Sequence, residues 1–186
     1  GVRLVGSEMC IRDSLVAIRE MFAPMAYLSQ SLDGRFLFSA SYDDALACVY
    51  QIESNGCLVT PSIQKIATPP KAHCILPAPF GNFVYLTSVD ADAILIYQWD
   101  ERLSQLQELV PLRVSLKPGA GPRHLVFHPK LSNLYCINEH DGSLTVFTAN
   151  QNTGALQELQ NTALVPTDFQ GNALASDIHL TPDGSY

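Results

Sequence analysis

Apolar residues along this chain gather in short runs of four to seven, rich in Val, Ile, Leu, Phe and Tyr and bounded by Gly, Pro, Asn and Asp. That is the pattern of strands joined by tight turns. No stretch within these runs holds a sustained helical period. One section reads His124–Phe127, Asn133–Ile137, Leu144–Thr148 and Ala155–Gln160, four strands in succession.

The runs repeat. Leu32-Asp33-Gly34-Arg35-Phe36-Leu37-Phe38 matches Pro79-Phe80-Gly81-Asn82-Phe83-Val84-Tyr85 at a step of 47 residues. Pro129-Lys130-Leu131-Ser132-Asn133-Leu134-Tyr135 follows 50 residues later, and Pro182-Asp183-Gly184-Ser185-Tyr186 another 53 on. A second anchor keeps step: Cys48-Val49-Tyr50-Gln51, Leu95-Ile96-Tyr97-Gln98 and Thr145-Val146-Phe147-Thr148. Four antiparallel strands recurring at this period describe a β-propeller blade. A β-sandwich with accidental self-similarity is the weaker alternative, since two independent anchors move together. The expectation is an all-β protein, a β-propeller fragment of about three four-stranded blades plus the start of a fourth. Three copies cannot close a ring, so the chain reads as the interior part of a longer protein, truncated at its C-terminus.

Residues 1–20 do not share the pattern. The run Val5-Gly6-Ser7-Glu8-Met9-Cys10-Ile11-Arg12-Asp13-Ser14 reads as a non-native leader, which leaves 21–186 as the partial propeller domain and removes Cys10 from chemical consideration.

Composition narrows the function. Of 186 residues, 47% are hydrophobic and 16% charged, which suits a folded core. With 18 acidic and 11 basic residues the net charge is −7, which argues against nucleic acid or an anionic membrane surface as partner. No apolar run is long enough to span a bilayer. The five cysteines (Cys10, Cys48, Cys57, Cys74, Cys136) form no C-x-x-C pair and read as reduced thiols of a cytoplasmic protein. A small molecule is the expected partner, and oligomeric state is left open.

Repeats also locate chemistry, because equivalent positions share one height in every blade. The start of the channel-lining first strand carries Ala26-Tyr27, His73-Cys74, Arg123-His124 and Ser176-Asp177 in successive copies. The end of the second strand carries Ser41-Tyr42, Ser88-Val89 and Asn138-Glu139. Polar groups collecting there would converge on one mouth of the channel. Arg123 needs a carboxylate or an anionic ligand, and Glu139 is a base or Arg123's ion-pair partner. Asp177 and His179 alternate along one strand and share a face, while His128 and His140 read as solvated turn residues. Cys74 should point away from His73, which disfavours a Cys–His nucleophile pair. Histidine spacing suits no metal, and neither a phosphate loop nor a serine elbow is present, so metal-free and cofactor-free acid–base or electrostatic catalysis is expected.

Gly119-Ala120-Gly121-Pro122-Arg123-His124-Leu125-Val126-Phe127-His128-Pro129, followed by Leu134-Tyr135-Cys136-Ile137-Asn138-Glu139, resembles the signature of the seven-bladed propeller lactonases of the bacterial 6-phosphogluconolactonase type. Ser176-Asp177-Ile178-His179-Leu180-Thr181-Pro182-Asp183-Gly184 resembles the start of that family's next blade. The resemblance runs from about Ala23 to Tyr186. It implies hydrolysis of 6-phospho-D-glucono-1,5-lactone to 6-phosphogluconate in the pentose phosphate pathway. It also implies His73, Arg123 and Glu139 as catalytic residues, with His124 beside them and a further arginine beyond Tyr186; His124, with Asp177 and His179 from their shared strand face, is the expected substrate-binding group. Rival readings are a carboxymuconate-cyclase-like or other sugar-lactone enzyme, and a non-catalytic binding platform. The last would need exposed aromatic anchors, whereas Trp99 and most tyrosines fall in strands.

Overall fold

The computed structural model describes residue 18 and residues 20–186. The leader proposed for residues 1–20, Cys10 included, therefore lies outside the described residues but for Ile18 and Glu20. Among the described residues there are twelve strands and no helix.

The strands form three four-stranded antiparallel sheets, each a simple meander. Blade 1 holds β1 (Tyr27–Gln30), β2 (Phe36–Ser41), β3 (Leu46–Gln51) and β4 (Gln64–Ala67). Blade 2 holds β5 (Ala72–Pro77), β6 (Phe83–Ser88), β7 (Ala93–Asp100) and β8 (Gln105–Ser115). Blade 3 holds β9 (Pro122–Phe127), β10 (Asn133–Asn138), β11 (Ser143–Ala149) and β12 (Leu156–Ala163). The second strands begin at Phe36, Phe83 and Asn133, in register with the sequence repeat. The innermost strands β1, β5 and β9 lie side by side.

Burial follows from stacking. β6 and β7 are flanked by a blade on each side, so nearly every residue along them is buried and the hydrophobic run is continuous. β11 alternates strictly between buried and half-buried positions, as expected of a strand covered on one face. Within β6 and β7, Val84, Leu86, Leu95, Tyr97 and Trp99 enter the core shared with blade 1. Their neighbours Phe83, Tyr85, Ile94 and Ile96 enter the core shared with blade 3. Period-two alternation thus builds two cores from one sheet.

Polar ties reinforce the stack. Gln64 donates to the Leu106 carbonyl at 2.9 Å and accepts from the Leu106 N–H at 2.8 Å, joining blade 1 to blade 2. The buried Tyr85 hydroxyl donates to the Gly154 carbonyl at 2.8 Å, joining blade 2 to blade 3.

The fourth copy forms no strand among the described residues, yet it makes the repeat's turn. Thr181 N–H donates to the Tyr186 carbonyl at 2.7 Å and Gly184 N–H to the Thr181 carbonyl at 2.8 Å. Ser31 to Phe36 and Gly34 to Ser31 do the same, both at 2.9 Å. The shared turn requires a left-handed residue, and Gly34, Gly81 and Gly184 supply it at φ 74°, 55° and 76°. The segment carrying Asp177 and His179 forms no strand, contrary to the expectation, because it has no ladder partner among the described residues.

Candidate functional site

The site is assembled where the inner strands of blades 2 and 3 depart from regular pairing. In blade 2, Ala72 pairs with Ser88 and Ile75 with Leu86, so His73 and Cys74 together oppose the single residue Thr87. In blade 3, Asn138 pairs with Pro122 and Ile137 with His124, which leaves Arg123 as the extra residue. These are β-bulges at equivalent heights, and a bulge re-aims the side chain it inserts. His73 and Arg123 are thus equivalent in the structure as they are in the repeat.

His73 is buried, with 7% of its surface exposed. Its ring meets His124 edge-on at 4.8 Å and Tyr42 at 5.5 Å between centroids. Burial, with the positive charge of Arg123 and of His124 beside it, lowers its pKa to about 4 and keeps the imidazole neutral. Its Nδ1 is buried with no hydrogen-bond partner among the described residues. Cys74, the other residue of the bulge, is buried in the core between blades 2 and 3, and the bulge breaks the alternation that was expected to turn it away from His73. Burial pushes that thiol up to about 12, so it is not a nucleophile.

Arg123 reaches Glu139 across its own blade, Nε to Oε2 at 3.0 Å, both side chains 22% exposed. Backbone bonds hold this pair in place: Glu139 N–H donates to the Gly121 carbonyl at 2.7 Å and His140 N–H to the Ala120 carbonyl at 3.0 Å. Asp92 of blade 2 clamps the same glycine turn, accepting from Gly119 N–H at 2.7 Å and Gly121 N–H at 2.8 Å. Sequence reasoning missed Asp92, because a carboxylate in a hairpin turn reads as ordinary turn chemistry until a neighbouring blade is laid against it.

His124 follows on the next position. Its Nδ1 lies 2.6 Å from Asp177 Oδ1, and the other Asp177 oxygen lies 3.0 Å from His179 Nε2. The bond from His124, reinforced by the Ile178 N–H, lowers the Asp177 carboxyl to about 2. With Nδ1 on a carboxylate, the His124 ring carries a proton at that nitrogen; Nε2 is buried and without a partner among the described residues. Tyr27 packs edge-on against the ring at 5.2 Å. His179 is 84% exposed and joins the group only through Asp177.

His73, Arg123 and His124 are therefore gathered directly, Glu139 through Arg123, and Asp177 and His179 through His124. Tyr27 and Tyr42, which close over the two histidines, were not singled out by the sequence. His140 is exposed, but His128 is half-buried and caps its turn, accepting from Lys130 and Leu131 N–H groups at 3.0 Å. A cavity of about 270 Å³ opens beside the pair, lined by Tyr27, Leu76, Leu125, Phe127, Asp177 and His179. A second cavity, about 90 Å³ and bordered by Phe38, Phe83 and Trp99, shares no lining residue with the site. Among the described residues no group of three or more His, Cys, Asp or Glu is placed to hold a metal ion. Among them, too, no helix is long and apolar enough to cross a membrane.

Known proteins carry the same arrangement of blades. The chain is 35% identical over 160 residues to the 6-phosphogluconolactonase of Serratia proteamaculans, and 34% identical to that of Pectobacterium atrosepticum. Each alignment takes in 86% of this chain and 48% of the relative, so the chain spans about half the length of the curated relatives it matches. Among solved structures, the periplasmic gluconolactonase PpgL of Pseudomonas aeruginosa superimposes with a TM-score of 0.78 at 30% identity, over 86% of this chain and 48% of that one. The model of the family described as lactonase, 7-bladed beta-propeller, matches residues 16–186, and with twelve strands in three blades and the turn of a fourth, the chain belongs to the seven-bladed β-propeller lactonases.

Proposed function

We propose that the full-length protein carrying these blades hydrolyses 6-phospho-D-glucono-1,5-lactone to 6-phosphogluconate in the cytoplasm, as part of the pentose phosphate pathway. The observation that carries this reading is the meeting of a neutral, unpartnered His73 with the Arg123–Glu139 pair at two equivalent bulges.

In this reading His73 is the general base. The Glu139 carboxylate is engaged by Arg123, whereas His73 Nδ1, in the Nε2–H tautomer, presents an unshared lone pair. Water attacks the lactone carbonyl carbon and gives a proton to His73. A new C–O bond forms and the carbonyl becomes an oxyanion. The Arg123 guanidinium, oriented through Nε by Glu139, stabilises that charge with its remaining N–H donors. The ring C–O bond then breaks, and the imidazolium, made acidic by its buried and electropositive surroundings, returns the proton to the leaving ring oxygen. His124, held by Asp177 and with His179 at the solvent side, contacts the sugar from the adjoining cavity.

The test is a coupled assay on freshly made phosphogluconolactone, with the spontaneous rate subtracted. Arg123→Ala should lower kcat by about 10²–10³-fold, in line with loss of an oxyanion donor. Turnover unchanged by that substitution overturns the assignment. A second substrate, glucono-1,5-lactone without phosphate, is favoured by the likeness to PpgL; a higher kcat/KM on that compound in the same assay selects it.

A further inference from the structure

Thr87 is the next-to-last residue of β6, in the run Phe83-Val84-Tyr85-Leu86-Thr87-Ser88, and is fully buried. Alternation from Phe83 and Tyr85 turns it toward blade 3. Its hydroxyl accepts from the Cys74 N–H at 2.9 Å and donates to the Arg123 carbonyl at 2.8 Å. Those two backbone groups belong to the two bulges, one in each blade, where the strand ladders leave groups unpaired. One side chain thus ties the peptide that follows His73 to the peptide that carries Arg123. The corresponding residues of the other blades, Ala40 and Ile137, have no hydroxyl. Among the described blades, only the junction between His73 and Arg123 has it.

We propose that Thr87 is a positioning residue of the active site, one that sets the placement of Arg123 relative to His73. The role rests on the lactone-hydrolase reading above. Water attack and oxyanion stabilisation must occur at the same carbonyl, so the base and the guanidinium have to be held in one geometry although they come from different sheets. Packing between sheets is non-directional and tolerates sliding, whereas a hydroxyl that donates on one side and accepts on the other does not. Asp92, from the hairpin that follows β6, restrains the glycine turn just ahead of Arg123 and supports the same registration. Valine fills the threonine volume but leaves a buried N–H and a buried C=O without partners.

The experiment compares wild type, Thr87→Val and Thr87→Ser in the full-length protein, by steady-state kinetics on phosphogluconolactone, kcat as a function of pH, and thermal unfolding. Thr87→Val should lose kcat by about 10–100-fold with KM changed less than about threefold, the dependence expected when reacting groups are misplaced rather than binding lost. Thr87→Ser, which keeps the hydroxyl, should recover kcat to within about threefold. The acid limb of kcat should move in the valine variant, because the protonation of His73 depends on the position of Arg123. Folded Thr87→Val with wild-type kcat overturns the role, and so does a folded Thr87→Ser that loses as much as valine does. Should valine not fold, the serine variant decides alone. Wild type with no turnover above the spontaneous rate overturns the lactonase reading itself and the role with it.

Discussion

His73 offers a direct measurement of how the blades enclose the site. Burial and the nearby Arg123 and His124 lower its pKa to about 4 from the ordinary histidine value of 6.5, with only Asp177 and its own backbone acting the other way. Above pH 6.5 the ring is neutral in both folded and unfolded chains, and its titration contributes nothing to the pH dependence. As pH falls below that value the unfolded chain takes up a proton and the folded one does not, so stability falls with acidification until the folded ring also titrates. Linkage gives a loss of about 2 kcal/mol between pH 7.5 and pH 5, and about 3 kcal/mol by pH 4. The substitution His73→Gln removes this dependence and leaves the other titrating groups in place. Urea unfolding of the full-length protein and of the variant at both pH values isolates the difference: wild type should lose about 2 kcal/mol more than the variant on going to pH 5. The same shift should carry the acid limb of kcat/KM down toward pH 4, since the base works in its neutral form. A difference between wild type and variant below about 0.5 kcal/mol would falsify the burial argument, because His73 would then titrate as an ordinary exposed histidine.

Two further perturbations probe the frame. Trp99 is 6% exposed and packs on Phe36 at 4.8 Å and Phe38 at 5.2 Å between blades 1 and 2; Trp99→Ala should cost about 3–5 kcal/mol in denaturant unfolding, and a loss under about 1.5 kcal/mol contradicts that packing. Gly121 holds φ 67° just ahead of Arg123, and an added Cβ would meet the His140 ring at 2.8 Å. The exposed ring can swing aside, so the left-handed backbone dominates; Gly121→Ala should destabilise by about 1–2 kcal/mol and lower kcat through the shifted Arg123–Glu139 pair, with wild-type values in both assays refuting it.

How far the site was legible can be traced residue by residue. The equivalence of His73 with Arg123 follows from repeat alignment alone, because blades of equal build place equal positions at equal height. Cys74 was expected to be set apart from His73 by strand alternation; the bulge breaks that alternation, and burial is what raises the thiol. The Arg123–Glu139 contact was one of two alternatives open in the sequence, and the structure shows that pair. Asp177 and His179 were expected to share a strand face; they do meet, but in a segment that forms no strand and with His124 as the main partner of Asp177, 53 residues away. Thr87 and Asp92 carried no signal, since a threonine near a strand end and an aspartate in a hairpin are common for reasons unrelated to catalysis.

The sequence by itself determined the blades: strand period, turn glycines and a repeat of about fifty residues are local or nearly local properties, set by side-chain alternation and backbone sterics within each copy. Only the tertiary structure decided where the strands would bulge and which polar groups of one blade would serve the next. A hydroxyl shared between Cys74 and Arg123, or a carboxylate across the Gly119–Gly121 turn, depends on the stagger of two stacked sheets, and that stagger is chosen by the fit of whole cores rather than by any one residue.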